Sequence, residues 1–443
     1  MLSDNKPITE IAMTATILIT LSLLAISCKE CPTEPKYEVY LSVEDVACVW
    51  VTLKVTLPDS GKINQFALER NDSTVATYTC LDDDTLIFDE GLTPDTDYSY
   101  TVCFLKDGKT KAESESITIH TLPTTSHDFI WEVNTLGNYG SYLRDAWIVD
   151  ENNIWVVGNI ETDSGEFNAA RWNGNQWELM GIYSNTLDLY SIWYFSEDDI
   201  WVTDFGFPIH WDGNGWTLYH LQNMGMAGVS AGTAIWASSP DDIYFVGRKG
   251  SIVHYDGRIF TKLTSETTIR LMDIEGSPAG SEIWVCGYDD LEGSVLLRKQ
   301  GNTFKKINEI TQSTILGQPG IISHVYEDIW TCSNNYMFIA SNGRVYVAHM
   351  TTTGDAGELL WWDYSTGNYP PRTTAISGSG SDNIFVAGHY SMLNHYNGET
   401  WEDIAPACSE GILWLKLAVK DNIVVAVGET DPVEGIIAIG RHQ

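Results

Sequence analysis

Residues 196–216 read Ser196-Glu-Asp-Asp-Ile-Trp-Val-Thr-Asp-Phe-Gly-Phe-Pro-Ile-His-Trp-Asp-Gly-Asn-Gly-Trp216. The stretch contains a polar turn, a short apolar run, a second short run and an Asp-Gly pair that leads into a Trp. Asp and Asn favour turns because their side chains hydrogen-bond to the nearby backbone, and Asp-Gly is typical of hairpins. The stretch therefore predicts short β-strands joined by tight turns.

The same order recurs along the chain, in segments that begin at Asn152, Ser239 and Ser381. A repeat of about 40–45 residues made of short β-runs is typical of propeller blades. Seven positions open the copies: Asn153, Asp199, Asp242, Glu282, Asp328, Asn383 and Asn422. We therefore predict an all-β protein in which residues 128–443 form a seven-bladed β-propeller.

The last copy begins so close to the C-terminus that only one further strand fits, at 436–440. The missing outer strand is available at the other end of the repeat region. Phe129-Ile-Trp-Glu-Val133 is similar to the outer strands at 177–180 and 216–219. We expect this N-terminal strand to complete the last blade, because closing the ring removes exposed strand edges.

The composition limits the classes of partner. The 443 residues carry 25 Lys and Arg against 60 Asp and Glu, a net charge of −35. Binding to phosphate groups needs clustered Lys and Arg, so neither nucleic acid nor an anionic membrane surface is expected as a partner. Hydrophobic residues make up 43% of the chain and include 17 Trp, enough for a packed interior.

The N-terminus carries an apolar run at 11–27 that ends in Ala25-Ile-Ser-Cys28. The run has the length of a signal-peptide core and is short for a membrane-spanning helix. The residues before Cys28 resemble the lipobox of bacterial lipoproteins, and Lys29-Glu30 resembles the surface-export signal of Bacteroidetes-type lipoproteins. This resemblance implies a signal peptide at 1–27, lipidation of Cys28, a tether at 28–36 and an outer-membrane, surface-exposed location. The alternative is an ordinary signal peptide with Cys28 in a disulfide.

We predict a separate β domain at residues 37–122, followed by a linker at 123–127. Leu53, Val55 and Leu57 alternate with polar residues, as in a half-buried strand. Gly91-Leu-Thr-Pro-Asp-Thr-Asp-Tyr98 resembles the E–F corner of fibronectin type III domains. The resemblance implies a β-sandwich in which the Tyr98 hydroxyl hydrogen-bonds back to the chain. Leu57 stands where that family usually has a core Trp.

The cysteines and acidic residues of this domain leave two questions open. One disulfide is possible among Cys48, Cys80 and Cys103, and the sequence does not select the pair. The acidic stretch 82–90 offers oxygen ligands for calcium, but it lacks the spacing of a known calcium loop. A solvated loop is therefore the favoured interpretation, and no metal or cofactor is predicted.

The propeller repeat is similar to that of sialidase-like secreted bacterial propellers, although the full Asp-box of that family is absent. Sialidase chemistry would need clustered arginines, and the propeller arginines follow no pattern in the sequence. His210, His254 and His395 hold one repeated position, which indicates packing within each blade. No nucleophile, zinc or phosphate-loop motif is present. Catalytic residues are therefore not predicted.

The residue after the second strand of each blade does not repeat, and it lies at the mouth of the predicted ring. These residues are Asn159, Phe205, Arg248, Tyr288, Asn334, His389 and Glu429. Mixed aromatic, cationic and amide groups are what a polar-ligand site requires. The leading hypothesis is a cell-envelope lipoprotein that binds a glycan or a protein on this loop face. The alternatives are a glycoside hydrolase or lyase that uses loop carboxylates, and a structural component of an envelope assembly.

Overall fold

The structure is a computed structural model. It describes residues 38–57, 65–79, 84–106, 108–185, 187–278, 280–289, 293–310, 326–331, 336–341, 344–349, 360–363, 372–407 and 411–442. The predicted signal peptide, Cys28 and the tether lie outside these residues. Within the described ranges, no helix has the length and apolar character needed to cross a membrane. The described helical structure is a 3-10 turn at Leu221–Met224.

The N-terminal domain is built from two sheets. Its strands are β1 (Tyr40–Val46), β2 (Trp50–Thr56), β3 (Gln65–Arg70), β4 (Ser73–Tyr78), β5 (Asp84–Glu90), β6 (Asp97–Lys106), β7 (Lys109–Glu113) and β8 (Ile117–His120). One sheet has the order β1-β2-β5 and the other β4-β3-β6-β7, with β8 also paired to β6. Leu53, Val55 and Leu57 are fully buried and pack with Phe66 and Phe104 between the sheets.

The hydrogen bond expected at the E–F corner is present. The backbone N–H of Thr93 donates to the Tyr98 hydroxyl at 2.9 Å. Cys48 and Cys103 are buried free thiols, so these two residues do not form a disulfide with each other. Cys80 lies outside the described residues.

Four-stranded sheets follow along the chain. The first comprises β10 (Tyr142–Asp150), β11 (Asn153–Thr162), β12 (Gly165–Trp172) and β13 (Trp177–Met180). The second comprises β14 (Leu189–Ser196), β15 (Asp199–Asp204), β16 (Pro208–Trp211) and β17 (Trp216–Leu218). The third comprises β18 (Ser230–Ser239), β19 (Asp242–Arg248), β20 (Ile252–Tyr255) and β21 (Phe260–Ser265). The fourth comprises β22 (Leu271–Gly276), β23 (Ile283–Asp289), β24 (Gly293–Gln300) and β25 (Thr303–Ile310).

The remaining sheets complete the region. The fifth comprises β26 (Tyr326–Thr331), β27 (Tyr336–Ser341), β28 (Arg344–His349) and β29 (Leu360–Asp363). The sixth comprises β30 (Thr373–Gly380), β31 (Asn383–Gly388), β32 (Leu393–Tyr396) and β33 (Trp401–Asp403). The last combines β34 (Leu413–Lys420), β35 (Ile423–Glu429) and β36 (Gly435–His442) with β9 (Phe129–Leu136). Strands β21 and β25 also form a short parallel pair between the third and fourth sheets.

The sheets surround a central channel. The first strand of each sheet contacts the first strand of the next, and β34 contacts β10. Strand β9 pairs with β36 along its length, from Phe129 opposite His442 to Leu136 opposite Gly435. The N-terminal strand of the region therefore lies at the outer edge of the last sheet, where it covers the backbone groups of β36.

The first strands share a bulge near their N-terminal ends. In each of them the register with the second strand shifts at this point. Pairing resumes at Asp145, Ser191, Ala234, Asp273, Asp328, Ala375 and Lys416. A bulge re-aims the side chains beside it, and the polar members of this set line the channel.

The repeated His position serves packing inside each sheet. His210 contacts Asp199, His254 contacts Asp242 and His395 contacts Asn383, each at 2.8 Å. The Trp201 ring stacks on His210 with centroids 4.1 Å apart. These contacts tie the third strand to the start of the second within one sheet.

The predicted place of Asp328 within its blade was wrong. Asp328 lies on β26, the first strand of the fifth sheet, and not at the start of a second strand. The second strand of that sheet is β27, which ends at Ser341. Asn334 lies outside the described residues.

The N-terminal domain packs directly on the propeller-like ring. Trp50 is 3% exposed, and its ring centroid lies 4.9 Å from that of Tyr336 on β27. The hydroxyl groups of Thr52 and Tyr336 share a hydrogen bond. In the linker, the Thr125 N–H donates to the Asn397 carbonyl at 3.0 Å. The two parts are therefore joined by a buried contact in addition to the chain itself.

Candidate functional site

A charged layer crosses the channel at the level of the bulges. Lys416 Nζ lies 2.6 Å from an oxygen of Asp328 and 3.2 Å from an oxygen of Asp273. The other Asp328 oxygen accepts the N–H of Ile376, and that of Asp273 accepts the N–H of Ile329. Each of these aspartates thus binds the first strand of the following sheet, which links neighbouring sheets around the channel.

Burial sets the protonation properties of this layer. Burial raises the pKa of Asp328 well above its usual range, and the Lys416 ammonium opposes that shift. Burial alone would lower the pKa of Lys416, but the nearby Asp273 and Asp328 carboxylates raise it well above its usual range. Burial also raises the pKa of Asp145, whose carboxylate accepts hydrogen bonds from Ser191 Oγ at 2.8 Å and Ile192 N–H at 3.0 Å.

Two cavities lie against this layer. One has a volume of about 330 Å³ and is bounded by the indole rings of Trp147, Trp193 and Trp330. The other has a volume of about 140 Å³ and opens at the end of the channel where the first strands begin. Arg144, Tyr190, Thr233 and Arg270 line the second cavity, which we call the channel mouth.

Arg144 is held between two aromatic rings at the channel mouth. Its guanidinium carbon lies 4.5 Å from the Tyr142 ring centroid and 4.3 Å from that of Tyr190. The Tyr142 hydroxyl donates to Asp188 at 2.6 Å, which fixes one of these rings. The Nε of Arg144 is buried and has no hydrogen-bond partner among the described residues. The arginine is therefore positioned by stacking, with a donor left unused.

Phe205 and Arg248, two residues selected from the sequence, are in contact. The Arg248 guanidinium carbon lies 3.4 Å from the Phe205 ring centroid, and that of Arg270 lies 5.6 Å from it. The Tyr190 ring is 4.9 Å from Phe205. A cation over an aromatic face is attracted by the ring quadrupole, so Phe205 holds both guanidinium groups near the mouth.

Tyr288 and His389 are connected through Arg372. Arg372 donates a hydrogen bond to the Tyr288 hydroxyl, and its guanidinium carbon lies 4.9 Å from the Tyr288 ring centroid. Burial lowers the pKa of His389, and the Arg372 charge lowers it further. His389 is therefore a neutral imidazole at physiological pH. The next residue, Tyr390, is 83% exposed and has a positive φ of 56°, which is rare for a non-glycine residue.

Arg144, Arg248 and Arg270 have no acidic ion-pair partner in the part of the chain that the structure describes. The ion pairs found in the described part of the chain involve other arginines, and none involves Arg144, Arg248 or Arg270. The pKa of Arg270 is lowered by burial and by the charges of Arg248 and Arg144. Its Nε, like that of Arg144, is buried without a partner. The mouth thus holds guanidinium groups without ion-paired carboxylates in the described part of the chain, above a floor lined by Asp145, Asp273, Asp328 and Lys416.

This arrangement corrects the view that the arginines follow no pattern. Arg144, Arg248 and Arg270 are apart in sequence, yet the charges of Arg144 and Arg248 lie close enough to lower the pKa of Arg270. Of the residues selected from the sequence, Phe205 and Arg248 lie beside Arg270, and Tyr288 and His389 lie beside Arg372. The missed residues are Arg144, the unpaired residue in the β10 bulge, and Arg270, which lies immediately before β22.

The two other predicted residues lie at the rim. Asn159 Nδ2 donates to the Gly140 carbonyl at 3.1 Å and to Glu161 at 3.3 Å, so its amide stabilises the neighbouring loop. Glu429 ends β35, where it is paired with Leu413 on β34. Neither residue contacts the arginines in the described contacts. The described residues also place no group of three or more His, Cys, Asp or Glu side chains where a metal ion would be held.

Comparison with known proteins supports the fold. No family model and no curated protein matches the sequence. The chain is similar to YCF48 from Cyanidioschyzon merolae, with a TM-score of 0.52 and 12% identity over 70% of this chain and 98% of that chain. It is also similar to the BT4673 extracellular domain from B. thetaiotaomicron, with a TM-score of 0.50 and 11% identity over 69% of this chain and 39% of that chain. Likenesses at such low identity show the fold alone. They confirm an all-β architecture of propeller type.

Proposed function

We propose that the protein is an envelope lipoprotein whose seven-bladed, strand-closed propeller binds a ligand with an anionic group at the channel mouth. One observation carries this proposal. Arg144 and Arg270 line the mouth, Arg248 lies over the Phe205 ring beside Arg270, and none of the three has an ion-paired carboxylate among the described residues. Asp145, Asp273 and Asp328 line the same cavity but are bound by Lys416 or by the backbone of the next sheet, so the guanidinium groups keep their attraction for an added anion.

The chemistry of the mouth favours an acidic glycan. A guanidinium group binds a carboxylate or a sulfate through two parallel N–H donors, and the unused Nε atoms of Arg144 and Arg270 supply such donors. Aromatic faces are also available, with the exposed Tyr390 beside His389. Sugar rings stack on such faces through their apolar C–H surfaces. An acidic protein segment is the other ligand with matching charge.

The carboxylates at the mouth favour binding over catalysis. Asp145, Asp273 and Asp328 are buried and accept hydrogen bonds from the backbone of the next sheet. Asp273 and Asp328 also share Lys416. These carboxylates are committed to holding the sheets together, which leaves them poorly suited to protonate a leaving group or to attack a sugar.

The proposed location is the outer surface of the cell envelope. The lipobox resemblance at Cys28 supports a lipid anchor, and the BT4673 neighbour is an extracellular domain. The fibronectin type III-like domain would then raise the propeller above the membrane. Because Trp50 is buried against Tyr336, this domain presents the channel mouth in a fixed orientation.

An array experiment tests the proposal. The full chain carrying Cys28→Ser is applied to oligosaccharides bearing uronate, sialate or sulfate groups, to their neutral parent sugars and to acidic peptides. We expect binding to acidic glycans that weakens as salt is raised, because exposed charge pairs are screened. The double variant Arg144→Gln/Arg270→Gln should lose the signal, and Arg258→Gln, an exposed arginine of a hairpin turn, should retain it. Equal binding of neutral and acidic sugars would contradict the proposal.

A further inference from the structure

A third cavity, apart from the two at the channel, lies between the first two sheets of the ring. Its volume is about 250 Å³. It is lined by Trp155, Arg171, Met180, Glu197, Trp211 and Trp216. These residues come from β11, β12 and β13 of one sheet and from the facing edge of the next. The cavity lies apart from the channel mouth and shares no lining residue with it.

The neighbouring gap shows why this cavity exists. Met180 lies opposite Ala169 at the end of the β12–β13 hairpin, three residues after Trp177. In the second sheet the same place is held by Tyr219, three residues after Trp216. Tyr219 stacks on Trp201 with centroids 5.7 Å apart and lies 4.9 Å from Phe260 of the third sheet. A tyrosine ring thus fills the second gap, whereas the thinner methionine chain leaves the first gap open.

Polar groups around this cavity are fixed, and one is unused. Arg171 donates to Glu197 at 2.7 Å and to Asn153 at 2.8 Å. The Trp211 Nε1–H donates to the Glu197 carbonyl at 3.0 Å. Trp155 is 5% exposed, and its Nε1 is buried with no hydrogen-bond partner among the described residues. A buried N–H without a partner is costly, and a bound oxygen acceptor would satisfy it.

We propose that this cavity is a second binding site, for a single neutral pyranose ring, and that it acts independently of the channel mouth. The half-buried indole rings of Trp211 and Trp216 offer apolar faces for the C–H surface of a sugar, and Trp155 forms part of the buried wall. The Trp155 N–H is a donor for a ring hydroxyl, and the Glu197 carboxylate accepts from another. The ligand is neutral because Glu197 already balances the charge of Arg171. The volume lies below the range of about 300–1,000 Å³ typical of drug-sized pockets, which limits the occupant to one ring.

The experiment uses the full chain carrying Cys28→Ser with a panel of neutral methyl pyranosides, read by saturation-transfer NMR and by tryptophan fluorescence. We expect at least one pyranoside to bind, and Met180→Tyr to weaken it at least ten-fold by filling the cavity as Tyr219 fills the next gap. Met224→Tyr makes the same exchange on an exposed methionine and should leave binding unchanged. The Arg144→Gln/Arg270→Gln variant should also bind the pyranoside, which separates this site from the proposed function.

The proposal is overturned if none of the pyranosides binds the parent protein. It is also overturned if a pyranoside binds Met180→Tyr as tightly as the parent protein. If Met180→Tyr does not fold, Trp155→Phe provides the test, since it removes the Nε1–H and retains an aromatic ring. We expect Trp155→Phe to weaken the pyranoside at least ten-fold. Unchanged affinity in that folded variant would equally reject the site.

Discussion

Lys416 Nζ lies 2.6 Å from an oxygen of Asp328 across the central channel. The two residues come from the fifth and the last sheets, so their ion pair spans the ring instead of joining neighbouring strands. Asp273 of the fourth sheet shares the same ammonium group at 3.2 Å. One lysine therefore connects three sheets in the lining of the channel mouth.

Removal of this lysine should destabilise the protein strongly. Lys416→Met leaves buried carboxylates without a countercharge, and breaking a buried ion pair costs about 3–5 kcal/mol of unfolding free energy. Without Lys416 these carboxylates must bind protons to stay buried, so their folded-state pKa values rise and the loss should be larger at pH 8 than at pH 5. Urea unfolding measures both effects. The exposed Lys262→Met is the control, with a change within about 0.5 kcal/mol. If Lys416→Met unfolds with the same free energy as the parent protein, the ion pairs of Lys416 with Asp273 and Asp328 do not stabilise the fold.

The buried histidine of the sixth sheet should make the protein acid-sensitive. Burial, together with the nearby His127 and His442, lowers the pKa of His395 from 6.5 to about 3. Between these two values the unfolded chain binds more protons than the folded protein, so stability should fall as pH drops from about 6.5 to about 3. The slope of unfolding free energy against pH reports how many protons are taken up on unfolding. In this pH window, His395→Gln should reduce that number by about one. The interpretation fails if the slope is unchanged.

The contact between the N-terminal domain and the ring should depend on Trp50. Its ring lies 5.3 Å from Phe88 within its own domain and 4.9 Å from Tyr336 on the ring. Truncating a buried tryptophan costs about 3–5 kcal/mol, and here part of that loss falls on the interface. Trp50→Ala should therefore accelerate proteolysis in the linker at 123–127, as followed by mass spectrometry. Tyr40→Ala is the control, because Tyr40 is 54% exposed, and its linker should be cleaved at the same rate as in the parent protein. Equal cleavage of both variants would mean that the linker is protected by other contacts.

Phe205 should act by positioning Arg248 at the channel mouth. The 3.4 Å contact between the Arg248 guanidinium and the Phe205 ring is lost in Phe205→Ala. Cation–π contacts contribute about 0.5–2 kcal/mol, so affinity for an acidic glycan should fall by about two- to thirty-fold. Phe205→Trp retains an aromatic face and should bind nearly as the parent does. If Ala and Trp at this position give the same affinity, the aromatic face has no role in binding.

Local patterns account for what the sequence could predict. Turn residues such as Asp212-Gly213 and the pairing of His210 with Asp199 act within one sheet, so they repeat and reveal the strands. The same local pattern misled at Asp328, because Asp-Ile-Trp also occurs on a first strand after a bulge. The arginine site could not be found this way. Arg144 and Arg270 meet only after the ring has formed, and such long-range contacts leave no local spacing to recognise.

The central claim is that paired guanidinium groups at the channel mouth bind an anionic group. Its most direct test is isothermal titration of the Cys28→Ser protein and its Arg270→Gln variant with the acidic oligosaccharide that gives the strongest array signal. The account predicts at least ten-fold weaker binding by the variant, with folding and melting temperature preserved. Equal affinity of the two proteins for that oligosaccharide would contradict it.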